Sequence, residues 1–347
     1  MKIEKLLSLA VILVLAGCAT VDKSALTSPV PSSGGEIIFK TAMAENEDAF
    51  AAGQDAAEAL AAKLGGTVPH AVLMMDCYDS VEAKELAIAG AASVFGKDKI
   101  FGGAVYGMYT QQGAADLDGV SLLALAGDGL QVQAALVETM GASTLSLETQ
   151  EAELTAALNA GGAALAAQIP QVEQSELVIL MGDAHSPKNQ LLLDGFQSVA
   201  GTKIPITGGS ISKNDGLNYV YYRGEMYRDS AFAVALKGGF SVAQAGRQAK
   251  SNDAVISTAD EGSATAMKAL GSATPLVVIT YDCAGRMGKL DHLSDELAAI
   301  QKNVDSSVPV FGCYCAGEFG AADTMQGETG NVSVGRGWHV MFTVLGK

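Results

Sequence analysis

Apolar and polar positions along this 347-residue chain fall into a pattern that recurs three times. Three apolar runs, 71–75, 177–181 and 276–281, lack the alternation of a half-solvated strand, so each predicts a strand covered on both faces. Each run leads to an aspartate: Asp76, Asp183 and Asp282. A helix-like stretch follows, then a second apolar segment broken by glycine: Ile100-Phe-Gly-Gly103, Ile206-Thr-Gly-Gly209 and Val310-Phe-Gly-Cys313. Further apolar strands close the copies at 120–127, 231–238 and 339–346. A period near a hundred residues exceeds the roughly 20–50 of solenoid repeats, so these are domain-sized βα units.

Local punctuation sharpens the elements. A helix from Asp48 to Lys63 should stop at Gly65-Gly66, and Ser80 should cap one over 81–95. Residues 148–169 form an alanine-rich helix with Gly161-Gly162 as a weak point. Pro187 is expected at a first helical position, Thr258-x-x-Glu261 as a capping box, and 292–302 as the last helix. Arg223-Gly224 between the aromatic flanks of 219–227 signals a hairpin. The fold class is α/β: mixed sheets flanked by helices, built from three related βα units with hairpin insertions.

Composition adds an address. Met1-Lys-Ile-Glu-Lys5 is basic, and the apolar stretch 6–15 is shorter than the ~20 residues of a membrane span. Leu15-Ala16-Gly17-Cys18 looks like a bacterial lipobox, making 1–17 a signal peptide and Cys18 a lipidated N-terminus; an ordinary secretory signal is the other reading. Ala19 then favours the outer membrane, facing the periplasm, in a two-membrane host. Residues 18–36, rich in proline, serine and glycine, are expected to be a flexible tether. The body divides into 37–238 (two units) and 239–347 (the third). A net charge of -16 repels phosphate backbones, so no nucleic-acid partner is expected.

Ligands of open α/β sheets bind beyond the carboxyl ends of strands. Asp76, Asp183 and Asp282 stand there, before helix starts whose free N–H groups can hold an anion. They can equally be caps and turn formers. Gly208 and Gly209 permit a close approach by a ligand or simply a tight bulge. Aligning 309–318 with 99–108, Cys313, Cys315 and Glu318 replace Gly103, Val105 and Met108, while Gly317 matches Gly107. Glu318 is suited to bind an amine or serve as a general base, or else to pack. The candidate ligand contacts are therefore Asp282, Cys283, Cys315, Gly317 and Glu318, opposed by Gly208 and Gly209, with Asp183, His185 and Asp76 at the other strand ends. The four histidines form no helical ligand pair and the cysteines no spaced pairs, so neither a metal nor a cofactor is expected. Cys77, Cys283, Cys313 and Cys315 are read as inert buried thiols, a Cys283–Cys315 disulfide, or a reactive or metal-binding set.

The segment 309–320, with its Gly317-Glu318, resembles the signature of the C-terminal part of FIST-domain proteins. Pro205-Ile-Thr-Gly-Gly-Ser210, the 219–227 hairpin and 231–236 resemble that family's middle segment, and 100–107 its N-terminal part. The resemblance covers roughly residues 60–347 and implies a sensory module for a small polar metabolite such as an amino acid, with no catalytic set to carry over. No kinase, cyclase or methyl-acceptor region follows the last strand, so a signal is expected to pass to a separate envelope protein. The alternative is a thiol-dependent envelope enzyme, an oxidoreductase or hydrolase, using Cys315 or Cys283. A scaffold that only touches other envelope proteins is a third reading.

Overall fold

A computed structural model describes residues 26–211, 218–323 and 332–347; the leader, Cys18 and Ala19 lie outside these. Each copy follows one element order. An antiparallel strand opens it (Ile38–Glu45, Leu130–Val137, Ser241–Gln248), followed by a helix (Ala49–Leu64, Glu151–Ala167, Asn252–Ala269). The central strand comes next (Ala71–Asp76, Leu177–Gly182, Pro275–Cys283), then a second helix (Val81–Phe95, Asn189–Ala200, Leu293–Gln301). A glycine strand (Ile100–Ala104, Ile206–Ser210, Val310–Cys315), a short hairpin and a closing strand (Gly119–Ala126, Ala231–Gly238, His339–Gly346) complete the unit. Central and glycine strands pair in parallel, the arrangement that demands a helical crossover; their other partners are antiparallel.

The hairpins leave home. Gly107–Thr110 and Gly113–Ala115 of unit one pair onto the glycine strand of unit three. Val220–Tyr222 and Glu225–Tyr227 of unit two pair onto that of unit one. Glu318–Gly320 and Val334–Arg336 of unit three pair onto that of unit two. Each unit gives one hairpin and receives one, so the exchange closes a ring and covers an edge of every sheet.

Side-chain alternation sorts the central strands into two layers. Leu73, Met75, Ile179, Met181, Ile279 and Tyr281 point into one core shared by all three sheets. Val72, Val178 and Val278 point outward under the helices of their own units. This double coverage explains the unbroken apolar runs.

Caps behave as their chemistry requires. Asp48 accepts the Ala51 N–H, Gly65 ends that helix at φ 59°, and Ser80 accepts the Ala83 N–H. The alanine-rich helix begins at Glu151, and its Gly162 is a contact point rather than a weak point. A Cβ there would lie 2.1 Å from the Leu192 carbonyl oxygen of the neighbouring helix. The 219–227 hairpin turns through Arg223 and Gly224, both at positive φ.

Three expectations need correction. Thr258 is not a cap: it lies inside Asn252–Ala269, and its hydroxyl donates back to the Ala254 and Val255 carbonyls. Pro187 is not a first helical residue: the Ser186 N–H is taken by the Ala316 carbonyl, and the helix starts at Asn189. The part of the tether from Leu26 onward is docked rather than free. Leu26–Thr27 pairs with Ala134 and Gln133, and Asp128 accepts the N–H groups of Ser32 and Glu36. Backbone pairing holds this segment, which a composition poor in apolar side chains does not reveal.

Candidate functional site

Strand register fixes which residues of the three units are equivalent. Met74, Leu180 and Thr280 stand opposite Gly102, Gly208 and Gly312. Counting onward, Asp76 and Asp282 match Gly182, whereas Asp183 matches Cys77 and Cys283. The three aspartates therefore do not share one position, and a shift of one residue moves a side chain to the other face of its sheet.

The outward pair is consumed by structure. Asp76 accepts the Tyr221 hydroxyl at 2.6 Å. Asp282 accepts the Arg286 Nε–H at 2.8 Å, Arg286 also reaches Glu296, and the Tyr314 hydroxyl donates to Glu296 at 2.9 Å. Asp282, Arg286 and Glu296 are all fully buried. Burial pushes the Asp282 carboxyl well up and the neighbouring Glu296 charge adds to this, while Arg286 pulls the other way. Asp76 and Asp282 Oδ1 are thus committed to protein partners, while Asp282 Oδ2 is buried without a hydrogen bond.

The expected cluster does assemble, in a buried place. Cys283 and Cys315 are register partners on parallel strands, and Gly209 stands opposite Glu318. Gly208 sits at φ 148°, and a Cβ there would lie 1.8 Å from the Leu180 carbonyl oxygen; one on Gly209 would lie 2.4 Å from Cys315 Sγ. A Cβ on Gly317 would lie 2.9 Å from both Ser186 N and Asn189 Nδ2. Glu318 is wholly buried and accepts the His339 N–H at 3.1 Å. Burial pushes its carboxyl well above the usual range, opposed by that N–H, the Cys283 thiol and the Arg286 charge. Burial likewise pushes Cys283 up to about 12 and Cys315 far up. All four described cysteines are free. A thiol held protonated this firmly is a poor nucleophile.

Asp183 is different. It opens onto a cleft of about 270 Å³ with His185, Lys188 and Asn218, against an apolar wall of Leu154 and Leu158. Asn218 Nδ2 donates to Asp183 Oδ1 at 2.8 Å and lies 3.3 Å from His185 Nε2. A donor there leaves Nε2 as the acceptor and the ring proton on Nδ1. Burial raises the Asp183 pKa, opposed by the Asn218 hydrogen bond and His185; burial lowers the His185 pKa, opposed by Asp183. Lys188 Nζ donates to the Leu145 carbonyl at 3.1 Å. Ala142 and Ser143 line the cleft too, and their N–H groups donate to the Asp229 carboxylate at 3.0 and 2.9 Å.

Asp229 marks another repeated feature. Asp118, Asp229 and Trp338 each stand two residues before the closing-strand residue that faces Asp76, Gly182 or Asp282, and all three have positive φ. Each carbonyl accepts one N–H, from Asn46, Met140 or Ala249. Sequence reasoning singled out Asp183 and His185 but missed Lys188, Asn218 and Asp229. The last carries a sequence signal, an aspartate at the same offset in two units; Lys188 follows His185 by three residues and could have been read from that loop, whereas Asn218 carries none, because a chain crossing brings it in.

The FIST N domain model matches residues 72–262, more than half of the chain, and the FIST C domain model matches 233–321. The chain belongs to the FIST family. FIST domains are sensory, small-ligand-binding modules. Similar solved structures include a cyanuric acid hydrolase described as an evolutionary innovation by structural concatenation. It is 11% identical, covers 90% of this chain and 99% of its own, and gives a TM-score of 0.44. The cyanuric acid hydrolase of A. caulinodans gives 12%, 89%, 99% and 0.41. No curated protein matches by sequence. In this FIST protein, the two motifs that carried the resemblance touch: Gly208 and Gly209 pair with Phe319 and Glu318.

Proposed function

We propose that this FIST protein is a membrane-anchored extracytoplasmic sensor that binds a small polar ligand in the Asp183 cleft and passes the event to an envelope partner. An amino acid is the class that suits the cleft. Asp183 offers a carboxylate to an ammonium group, Lys188 an ammonium to a carboxylate, and Leu154 and Leu158 a dry wall for a side chain. The observation that carries this reading is the meeting of carboxylate, imidazole, amide and ammonium in one open cleft. The buried Glu318 cluster has the chemistry first expected of the site, but Glu318 is wholly buried and one of its oxygens already accepts the His339 N–H. Anchoring rests on Leu15-Ala-Gly-Cys18, and an outer-membrane location on Ala19.

Titration calorimetry of the purified protein against the amino acids tests the ligand. Asp183→Asn or Lys188→Ala should weaken binding at least tenfold, about 1.4 kcal/mol, while Glu318→Gln leaves it intact. The reverse pattern would move the site to the buried cluster. For the anchor, Cys18→Ser should shift the protein from membrane to soluble fractions.

A further inference from the structure

A second feature lies at the other end of the strands. Two adjoining hollows of about 370 and 270 Å³ separate unit one from unit three. Both are lined by Lys40, Lys63, Ser307, Val308 and Pro309. Among the described residues neither lysine forms an ion pair, although the chain carries 38 acidic side chains against 22 lysines and arginines. Glu36 is the one carboxylate lining either hollow, so the groove keeps a net positive charge.

The lysines are placed, not merely exposed. Lys63 Nζ donates to the Thr41 carbonyl at 2.7 Å and to Gln112 Oε1 at 3.5 Å, which fixes the ammonium at the groove and leaves one donor. Burial, and then the charge on Lys40, lower the Lys63 pKa, so the two ammonium groups act on each other. Phe39, Leu64 and Leu276 supply apolar walls. Walls of low dielectric screen like charges poorly and concentrate their field on the open space. An anion placed there converts the repulsion into attraction.

Comparison of the units removes the simplest alternative, a cation required by the fold. Lys40 faces Ala124 of its closing strand; Gln133 faces Ala235 and Ala243 faces Val344 at the matching positions. Units two and three build the same strand pair with no charge there.

We propose that this groove is a second binding site, for a small doubly charged oxyanion held between Lys40 and Lys63. The Ser306 hydroxyl on the facing wall adds a donor for its oxygens, whereas that of Ser307 is taken by Asp305 Oδ1 at 2.6 Å. A dianion answers both ammonium groups at once. The chemistry is shared by inorganic phosphate and short dicarboxylates.

Titration calorimetry of the full chain with inorganic phosphate, and separately with succinate, tests the site. At least one should bind, more weakly as salt is added. Lys40→Gln and Lys63→Gln should each weaken that binding at least tenfold, and Asp183→Asn should leave it unchanged, which separates this site from the amino-acid cleft. Lys40 is exposed, so its variant tests binding without disturbing the core; a thermal melt checks this. Failure of both anions to bind at millimolar concentration would overturn the proposal. So would binding that persists in both lysine variants, which would mark an adventitious ion only.

Discussion

The apices of units two and three share one backbone and hold opposite environments. Asp183, His185 and Asp229 in unit two correspond to Cys283, Gly285 and Trp338 in unit three. In unit two the side chains are short and polar, and Asp229 is pinned by neighbouring N–H groups, so a cleft remains. In unit three the Trp338 ring lies against Gly285, with Lys250 and Lys289 ammonium groups 5.4 and 5.9 Å from its centroid. Beneath it Arg286 joins two buried carboxylates. A repeated fold thus copies geometry, including a left-handed turn residue, without copying polarity. Side-chain volume at a few matched positions decides which apex admits a ligand.

The contrast can be broken most forcefully at Arg286. Arg286→Ala would strand Asp282 and Glu296 as buried, unpaired carboxylates, and should cost about 3–5 kcal/mol in urea unfolding. Lys188→Ala, in the open cleft, should cost under about 0.5 kcal/mol. Near-equal losses would mean that the two apices are not as different as their burial implies.

A smaller effect depends on pH. Burial raises the folded-state pKa of Glu318, so the folded protein keeps a proton that the unfolded chain has already released. That contribution is full below the ordinary value of 4.5 and is lost as pH rises through the folded value. Stability should therefore decline between the ordinary value of 4.5 and the folded value, by at most about 1.4 kcal/mol per pH unit for one group, and level off above it. Glu318→Gln should shrink the slope; Asp282, also raised by burial, retains its own share. A slope unchanged in the variant would show that Glu318 is ionised inside the fold.

The mildest change gives the third turn the residue of the other two. A left-handed conformation costs an ordinary residue about 1–2 kcal/mol and aspartate less, so Trp338→Asp should recover part of what it loses in packing. A net change below about 1 kcal/mol is expected in the same unfolding assay. In the native protein the Cys283 thiol, pushed up to about 12 by burial, should be alkylated slowly.

How much of this was legible from residues alone follows the range of the interactions. Asp48, Ser80 and Gly65 act on neighbours within a turn of helix, and the caps fall where their chemistry places them. The Arg223-Gly224 turn is equally local. The register that separates Asp183 from Asp76 and Asp282 is a property of paired strands, and one added residue in the middle run hides it. Asn218 reaches Asp183 from 35 positions away. The grouping of Cys283, Cys315, Glu318, Gly208 and Gly209 was readable from aligned copies; their burial was not, because the hairpin that covers Gly209 comes from another unit.

The exchanged hairpins have a topological consequence. Removing any one unit would take strands from two sheets and expose new edges on both, so the three copies cannot be trimmed to two without inviting aggregation. Yet Lys347 Nζ donates to the Gly35 carbonyl at 2.9 Å, bringing the two ends of the folded body within reach of a short linker. In a ring of equivalent parts no unit is mechanically first. A circular permutant joined from 347 to 35 and opened between units would preserve every strand partner except the Leu26–Thr27 edge pairing, while changing which apex stands nearest the chain terminus, and with it which one faces whatever the terminus is tied to.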